Sequence, residues 1–245
     1  MVIVSRNNPQ VKKILSLKEK KFRRASGLYL VEGIKQVREA VAAGQEPVCV
    51  VCSESYAGET FSAEPMRVSD GVFEKLSDEV APQGILAVLR IPDLAPVPPR
   101  GLCLLLDGVA DPGNLGTIVR TANAAGYEDI YLLGCADAFA PKCVRSAMSG
   151  LFFVRLHAGT SGEIFSALEN IPMLCADMGG ENIFSYRPPE RFCLVIGNEA
   201  NGVSAEVRAR CGYTLGIPMR KSCESLNAGV SAGVLMYLLA RRDFE

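Results

Sequence analysis

Histidine is scarce in this sequence, and the glycine-rich loops that bind nucleotides in many enzymes are absent. His157 is the only histidine among the 245 residues, so a metal site built from several histidines is excluded. No G-x-G-x-x-G follows a predicted strand and there is no Walker loop, which disfavours hydride and phosphoryl transfer. Nucleophilic hydrolysis is also disfavoured, because a Ser-His-Asp arrangement would have to use His157, which fits a strand end better.

Long apolar segments are missing as well. The longest unbroken apolar run covers residues 234–240, far too short to cross a bilayer, and residues 1–10 lack the apolar stretch of a secretion signal. The nine cysteines lie mostly inside apolar runs, where a reduced cysteine behaves as a small hydrophobic residue. Cys49 and Cys52 have the spacing of a metal or redox motif, but no second pair follows. We expect a cytoplasmic protein with free thiols and no bound metal.

Basic residues are concentrated at the start of the chain. Residues 1–40 carry ten Lys or Arg and three Glu, a local charge of +7 in a chain whose net charge is −1. This basic arm, residues 1–40, favours an anionic polymer as partner, because Lys and Arg displace counterions from phosphate backbones. From charge alone, a solvated basic helix face explains the pattern equally well.

The first part of the chain has the pattern of a small α/β unit. Apolar residues between 11 and 17 recur at helical spacing among lysines, which predicts one amphipathic helix with a basic outer side through Lys21. Residues 28–33, 47–54 and 84–91 are predicted strands, and residues 34–44 a helix that ends at Gly44. Four prolines then fall between residues 92 and 100, which predicts an extended linker. The predicted division is 1–91, a linker 92–100, and 101–245.

Apolar runs of strand length alternate with helical segments in the remainder of the chain. The runs begin near residues 102, 129, 172, 192 and 213. This alternation predicts a parallel sheet covered by helices on both faces, so the whole chain is assigned to the α/β class. Ligands bind such sheets beyond the carboxyl ends of the strands, which directs attention to the loops that follow the runs.

Three of these loops carry polar residues of interest. In the first, Asn114 is a predicted helix cap, and Arg120 lies away from the apolar stripe of the same helix. Taken alone, this helix favours an ordinary solvated arginine. In the second, Glu199 follows a buried strand at once, although an exposed loop glutamate is the commoner case. In the third, Ser225 or Asn227 caps an apolar helix predicted to run to about Arg242, and one cap leaves the other polar residue unexplained.

Together the three loops resemble the three motifs of the SpoU/TrmH class of RNA ribose 2'-O-methyltransferases, in the SPOUT superfamily. The matching stretches are "NLGTIVRTA" from Asn114, "IGNEANGVS" from Ile196 and "IPMRKSCESLNAGVSAG" from Ile217. Three stretches of the first ninety residues, "NNPQVKKILSLKEKKFR", "YLVEGIKQVREAVAAG" and "PQGILAV", are similar to the RNA substrate-binding domain that often precedes the catalytic domain. The resemblance thus covers nearly the whole chain.

The resemblance implies a fold, a cofactor and a set of partners. It implies an L30e-like, ribosomal-protein-like first domain and a parallel-sheet second domain with a trefoil knot. S-adenosylmethionine would be held largely by backbone groups at the family's matching positions, which are Gly197, Ile217, Met219 and Leu226. The family works as homodimers whose site is completed across the interface. The first domain favours ribosomal RNA as the substrate here, with transfer RNA as the alternative.

The resemblance also implies catalytic roles for Asn114, Arg120, Glu199, Ser225 and Asn227. In the family the arginine is proposed as a base assisted by the serine. Because a guanidinium resists deprotonation, our hypothesis is that Arg120 binds the phosphate beside the target ribose, with Asn114 holding its guanidinium and Ser225 near the hydroxyl. Glu199 and Asn227 would position loops and substrate. A non-catalytic RNA-binding protein with the same fold, or a small-molecule methyltransferase, are the alternatives.

Overall fold

Two β-sheets with helices packed on their faces make up the part of the chain that the structure, a computed structural model, describes, namely residues 2–62 and 64–240. Strands between residues 2 and 90 form the first sheet, and strands between residues 103 and 216 form the second. The predicted α/β class is confirmed.

The first sheet has five strands and four associated helices. In chain order the elements are β1 (Val2–Ile3), α1 (Pro9–Ser16), α2 (Lys20–Ser26), β2 (Leu28–Glu32), α3 (Ile34–Ala42), β3 (Cys49–Ser53), β4 (Met66–Val68), α4 (Asp70–Leu76) and β5 (Ile85–Arg90). The strand order is β1-β4-β3-β5-β2, and β5 runs antiparallel to both of its neighbours. The predicted strands correspond to β2, β3 and β5, whereas β1 and β4 are too short to leave a periodic pattern.

The amphipathic helix predicted for residues 11–21 is wrong in one respect, since the structure contains two helices, α1 and α2, with a turn between them. Helix α1 ends at Ser16, with Leu17 as its C-cap, and the carbonyl groups at this end have no partners inside the helix. The buried guanidinium of Arg23 donates from Nη1 to the carbonyls of Leu17 and Lys18, at 2.8 Å each. A residue of the second helix therefore satisfies the end of the first and stabilises the break.

The second sheet has six strands, all parallel. Its strands are β6 (Cys103–Asp107), β7 (Asp129–Leu133), β8 (Arg155–Ala158), β9 (Met173–Asn182), β10 (Cys193–Ile196) and β11 (Tyr213–Gly216). The helices are α5 (Pro112–Ala124), α6 (Pro141–Ala147), a 3₁₀ helix (Met148–Phe152), α7 (Ser161–Ala167), α8 (Ala205–Arg208) and α9 (Ala228–Ala240). The strand order is β11-β9-β10-β6-β7-β8. The predicted parallel sheet is confirmed, while the predicted end of the last helix, near Arg242, lies outside the described residues.

Burial on both faces explains why the strands of the second sheet are almost continuously apolar. In β6, Leu104 and Leu106 pack toward α5, α6 and α9, whereas Cys103 and Leu105 pack toward α7 and α8. All five residues of this central strand are buried. The carboxyl end of β6 and the loops that follow it are thus held by packing on two sides. In the described part of the chain, each helix falls short of what a membrane crossing would require.

The two sheets are joined through a shared core and a buried ion pair. The ring of Tyr29, on β2, lies 4.9 Å from that of Phe139, which precedes α6. Arg23 donates from Nε and Nη2 to the Oδ2 atom of Asp137, at 3.1 and 2.7 Å. The side chain of Arg23 is only 3% exposed, so this pair is shielded from water. The basic helix α2 is therefore fixed against the loop that follows β7.

The proline-rich segment 92–100 forms neither helix nor strand, as predicted, yet it is bound tightly to the second sheet. Its carbonyl groups accept hydrogen bonds at Leu94 from the backbone N–H of Ala158 (2.7 Å) and at Val97 from the hydroxyl of Tyr131 (2.6 Å). A carbonyl that has no neighbour in regular secondary structure must find such partners when it packs against a protein surface. The segment is consequently a fixed strap along the sheet.

Replacing Arg23 with alanine should strongly destabilise the protein, because the Asp137 carboxylate and two helix-end carbonyls would lose their partner. We expect the free energy of unfolding in urea to fall by about 3 kcal/mol or more. Arg24→Ala removes an exposed arginine from the same helix and should change that value by less than about 0.5 kcal/mol. Equal effects of the two substitutions would contradict the structural role of the ion pair.

Candidate active site

The first motif begins with a helix cap that differs from the predicted one. Asp111, not Asn114, is the N-cap of α5, and its Oδ1 atom accepts a hydrogen bond from the backbone N–H of Asn114 at 2.8 Å. Asn114 lies inside the first turn, so its side chain is free for other contacts. The Lys142 ammonium group donates to Oδ2 of Asp111 at 2.6 Å, and these contacts lower the pKa of the Asp111 carboxyl.

The second motif forms a tight loop after β10. Asn198 accepts hydrogen bonds at Oδ1 from the N–H groups of Ala200 and Asn201, and it donates from Nδ2 to the carbonyl of Gly108 at 2.7 Å. A Cβ atom at Gly197 would lie 2.2 Å from the carbonyl carbon of Gly202. Because no real Cβ approaches backbone so closely, only glycine fits at position 197.

Glu199 lies in this loop and bridges back to the first motif. Its Oε1 atom accepts from Asn114 Nδ2 at 2.9 Å, and its Oε2 atom accepts from the backbone N–H of Ala110 at 3.2 Å. Burial raises the pKa of the Glu199 carboxyl, but the hydrogen bonds lower it further, so the pKa lies below the ordinary 4.5. The carboxylate is ionised at neutral pH and already occupied by donors, which suits it to holding loops together.

The third motif is joined to the other two through Asn227. Its Nδ2 atom donates to Oδ1 of Asn114 at 2.9 Å, and its Oδ1 atom accepts from the N–H groups of Gly229 and Val230. Asn227 is therefore the cap of α9, which is one of the two alternatives, Ser225 or Asn227, that the sequence predicted. The amide of Asn114 thus connects Glu199 to Asn227, and residues from three distant parts of the sequence meet in one hydrogen-bonded junction.

A cavity of about 450 Å³ opens beside this junction. The four positions predicted to bind the cofactor, Gly197, Ile217, Met219 and Leu226, all line it. Three of the predicted catalytic residues line it too, and these are Glu199, Ser225 and Asn227. The sequence therefore directed attention to residues that the fold brings together, although it did not show how they contact one another.

Ala176, Asp177 and Met178 also line the cavity, although the sequence pattern did not point to them. They lie within β9, between its two segments that pair with β11, where the register shifts between Thr214 and Leu215. Hydrogen bonding from the Gly179 N–H and from Arg208 lowers the pKa of the Asp177 carboxyl. The apolar run that begins near residue 172 marked only the buried start of β9, and the strand continues to Asn182, so no predicted strand-end loop pointed to these residues.

Arg120 lies elsewhere. Its side chain is exposed on α5, it is not among the residues that line the cavity, and it makes no hydrogen bond or ion pair with the residues that the structure describes. The hypothesis that Asn114 holds the Arg120 guanidinium is wrong within one chain, since the Asn114 amide is engaged by Glu199 and Asn227. Arg120 is thus available to a group from outside the chain.

Two further cavities lie away from the motifs. One, of about 590 Å³, is at the amino ends of the strands of the second sheet, beside Leu102 and Phe192. The other, of about 340 Å³, lies beside the proline-rich strap and His157. His157 is buried on β8, where its Nε2 atom lies 2.8 Å from Oδ1 of the buried Asp129, so its contacts are structural. In the same described residues, no cluster of three or more His, Cys, Asp or Glu is arranged to hold a metal.

The lining of the 450 Å³ cavity beside the junction suits a ligand that has both polar and apolar parts. Ile217, Leu226 and Leu235 supply apolar surface, and the neighbouring loops present backbone groups at the carboxyl ends of the strands. The glycine at position 197 lets the backbone of its loop lie directly against Gly202 and Val203, which shapes this side of the cavity. A ligand that combines apolar surface with several hydrogen-bonding groups fits such a lining.

Comparison with known proteins decides the family. Residues 101–237, which contain all three motifs, match the model of the SpoU rRNA Methylase family. The chain belongs to the SpoU rRNA methylase family. Residues 8–87 match the model of the MRM3-like substrate binding domain.

Individual SpoU relatives match nearly the whole chain. It is 31% identical to the 23S rRNA (guanosine(2553)-2'-O)-methyltransferase RlmP of Bacillus subtilis, over 97% of this chain and 98% of the relative. It is also 31% identical to a 23S rRNA (uridine(2479)-2'-O)-methyltransferase of Streptomyces viridochromogenes, over 98% and 92%. The crystal structure of the SpoU methyltransferase AviRb from S. viridochromogenes with AdoMet superposes with a TM-score of 0.87, at 27% identity over 96% of this chain and 98% of that one.

Proposed function

We propose that this chain transfers a methyl group from S-adenosylmethionine to a ribose 2'-hydroxyl of ribosomal RNA. The observation that carries the proposal is the junction of Asn114, Glu199 and Asn227 beside a cavity lined by the four expected cofactor positions. Membership of the SpoU family and relatives named as 23S rRNA 2'-O-methyltransferases support the same reaction.

The cavity residues provide the means to bind the cofactor. Backbone groups at Gly197, Ile217, Met219 and Leu226 would hold it, because all four positions border one space. S-adenosylmethionine, when bound, supplies a methyl group on a positively charged sulfur. A neighbouring structure that was solved with AdoMet, the AviRb complex, shares the fold over 96% of this chain.

The hydrogen-bonded junction keeps the two sides of the cavity at a fixed separation. Glu199 ties the loop after β10 to the start of α5, and Asn227 ties the start of α9 to the same point. Holding two reactants in line supplies a large part of the acceleration in a group transfer. Ser225, exposed on the cavity lining, is in our proposal the side chain next to the ribose hydroxyl.

Arg120 is assigned to the RNA rather than to the cofactor. A guanidinium that has no partner in the described chain and stays protonated is suited to bidentate contact with a phosphate. Binding the phosphate beside the target ribose would orient the 2'-hydroxyl toward the cavity. Since Arg120 is not itself part of the cavity lining, this role requires a site that the single chain does not complete.

A homodimer would complete the site that includes Arg120, and helix α9 supplies a surface on which two chains could pair. This helix is apolar all round, and such a helix is normally covered on every side. Nevertheless Val230 is 52% exposed, and Tyr237, two turns further on the same side, is 48% exposed. Helix α9 packs along α5, where the added Cβ of Gly229 would lie 3.2 Å from Thr117. A second copy seated on α9 would therefore lie close to Arg120.

The remaining parts of the chain have proposed roles as well. Residues 1–91 form an L30e-like RNA substrate-binding domain, 92–100 a linker, and 101–245 the methyltransferase domain. The two family matches, 8–87 and 101–237, and the two sheets support this division. In the second domain, the segment after β11 is threaded through the loop after β10 as a trefoil knot. The close backbone approach of Gly197 to Gly202 and the glycines of α9 support a crowded crossing of this kind.

The basic arm supplies the electrostatic attraction for RNA. Of its ten cations, Lys18, Arg23, Lys35 and Arg38 are paired with carboxylates. The other six are exposed and have no carboxylate partner among the described residues, namely Arg6, Lys12, Lys13, Lys20, Lys21 and Arg24. All nine cysteine thiols are free, which supports the proposed cytoplasmic location.

Mapping 2'-O-methyl groups in total RNA, from cells with and without the gene, tests the proposed reaction. We expect one or a few ribosomal positions to lose their methyl group without the gene and to regain it when the gene is restored. Loss of a transfer RNA methyl group instead would change the substrate class. An unchanged map would contradict the proposal and would favour a non-catalytic RNA-binding protein.

The unmethylated RNA then serves to test Arg120. Arg120→Lys keeps the charge but removes the bidentate geometry, so we expect the initial rate of methylation to fall by about tenfold or more. S-adenosylmethionine affinity, measured by calorimetric titration, should be unchanged because Arg120 does not line the cavity. A rate close to that of the unaltered chain would contradict the phosphate-binding role.

Val230→Arg tests the homodimer. A charge on the exposed apolar side of α9 should prevent a second copy from binding, so the variant should sediment as a monomer at micromolar concentration and lose methyl transfer. Val48→Arg is a matched control, since Val48 is 46% exposed and lies just before β3, away from α9. A dimer that survives Val230→Arg, or an unaltered chain that is monomeric, would contradict the assembly.

A further inference from the structure

The backbone of Arg120 is contacted at very short range by the 3₁₀ helix Met148–Phe152. An added Cβ at Gly150 would lie 2.9 Å from the Cα atom of Arg120 and 3.3 Å from the carbonyl oxygen of Val119. Gly150 is buried, and its φ is not in the left-handed region. A glycine is thus required there by the closeness of α5 and not by its own backbone conformation.

This contact matters because the side chain of Arg120 has no partner that fixes it in the described chain. Its guanidinium makes no hydrogen bond or ion pair with the described residues and its side chain is exposed. The position of the α5 backbone at residue 120 therefore determines where the guanidinium can reach. That backbone is supported from the side by Gly150.

The 3₁₀ helix is in turn held by the first sheet's helix α3. Gln36, which is 8% exposed, lies with its Nε2 atom 3.9 Å from the sulfur of Met148. Two unfavourable features meet at this contact. Met148 has a φ of +50°, which a side-chain-bearing residue rarely adopts. In addition, the Oε1 atom of Gln36 is buried with no partner among the described residues. Strain of this kind persists where the surrounding packing enforces it, and it is concentrated at functional sites.

We propose that Gly150 is a positioning residue for Arg120, and that the 3₁₀ helix Met148–Phe152 sets the position of Arg120 relative to the RNA-binding part of the chain. The inference rests on the role proposed above for Arg120. RNA held by the basic arm and a phosphate held by Arg120 belong to one substrate, so their separation must be constant. The 3₁₀ helix, which packs between α3 and α5, keeps this separation constant.

Gly150→Ala tests the inference, because its single methyl group is directed at the α5 backbone. We expect kcat for RNA methylation to fall by about tenfold, since small misplacements of a positioning group have effects of that size. The KM for RNA and the affinity for S-adenosylmethionine should change by less than about twofold, because neither the basic arm nor the cavity is altered. Gly162→Ala, in α7 with nothing within 4 Å of the new atom, is the control and should leave kcat unchanged.

A double-mutant cycle separates positioning from general damage. If Gly150 acts through Arg120, the substitution Gly150→Ala should have no further effect on the slow single-turnover rate of Arg120→Ala. An equal fractional loss in both backgrounds would overturn the inference, as would an unchanged kcat in a folded Gly150→Ala variant. An inactive unaltered chain would instead overturn the proposed function.

Met148→Gly covers the case in which Gly150→Ala does not fold. The substitution adds no atom. It removes the strain of the positive φ, which glycine adopts readily, and it removes the side chain that contacts Gln36. We expect a folded protein with a lower kcat, and no effect of this substitution in the Arg120→Ala background. A kcat equal to that of the unaltered chain would overturn the inference.

Discussion

The side-chain amide of Asn114 accepts one hydrogen bond from Asn227 and donates another to Glu199, and the arrangement of the site depends on this pair of contacts. One amide group has a donor and an acceptor in the same plane, so it can join a loop that presents an acceptor to a loop that presents a donor. Neither an acid nor an amine at position 114 would serve both partners. The start of α5, the loop after β10 and the start of α9 are therefore held at one point.

That junction is possible only because the backbone approaches itself closely. Gly197 lies against Gly202, and Gly229 lies against Thr117, so the loop and α9 both come within reach of α5. The parallel sheet supplies the common edge from which these segments start, since β6 and β10 are neighbours in it. The apolar core on both faces of the sheet keeps that edge rigid, which is the condition for a site assembled from loops.

The sequence predicted the parts of the fold with strong periodic signals and the residues of the cavity, but not the contacts between them. Apolar runs marked the strands of the second sheet correctly because burial on both faces leaves a clear pattern. The break between α1 and α2 was missed because it depends on Arg23, a cation whose partners lie in a neighbouring turn and in the other half of the chain. Asn114 was taken for a cap because Asn and Asp have similar propensities there, and the choice of Asp111 is decided by three-dimensional contacts. Asp177 was overlooked because it lies within β9, at the shift in its pairing with β11, and not in a loop after a strand.

Titration of S-adenosylmethionine into the unaltered chain and into Asn114→Leu tests most directly whether the junction holds the cavity in a binding-competent form. Leucine has a similar volume but makes no hydrogen bond, and two lost hydrogen bonds should weaken binding by about tenfold or more. Asn114 is not itself among the residues that line the cavity, so such a loss would act through the loops it joins. The account predicts binding of one molecule per chain to the unaltered protein and this weaker binding to the variant. Equal affinity of a folded Asn114→Leu chain would contradict it.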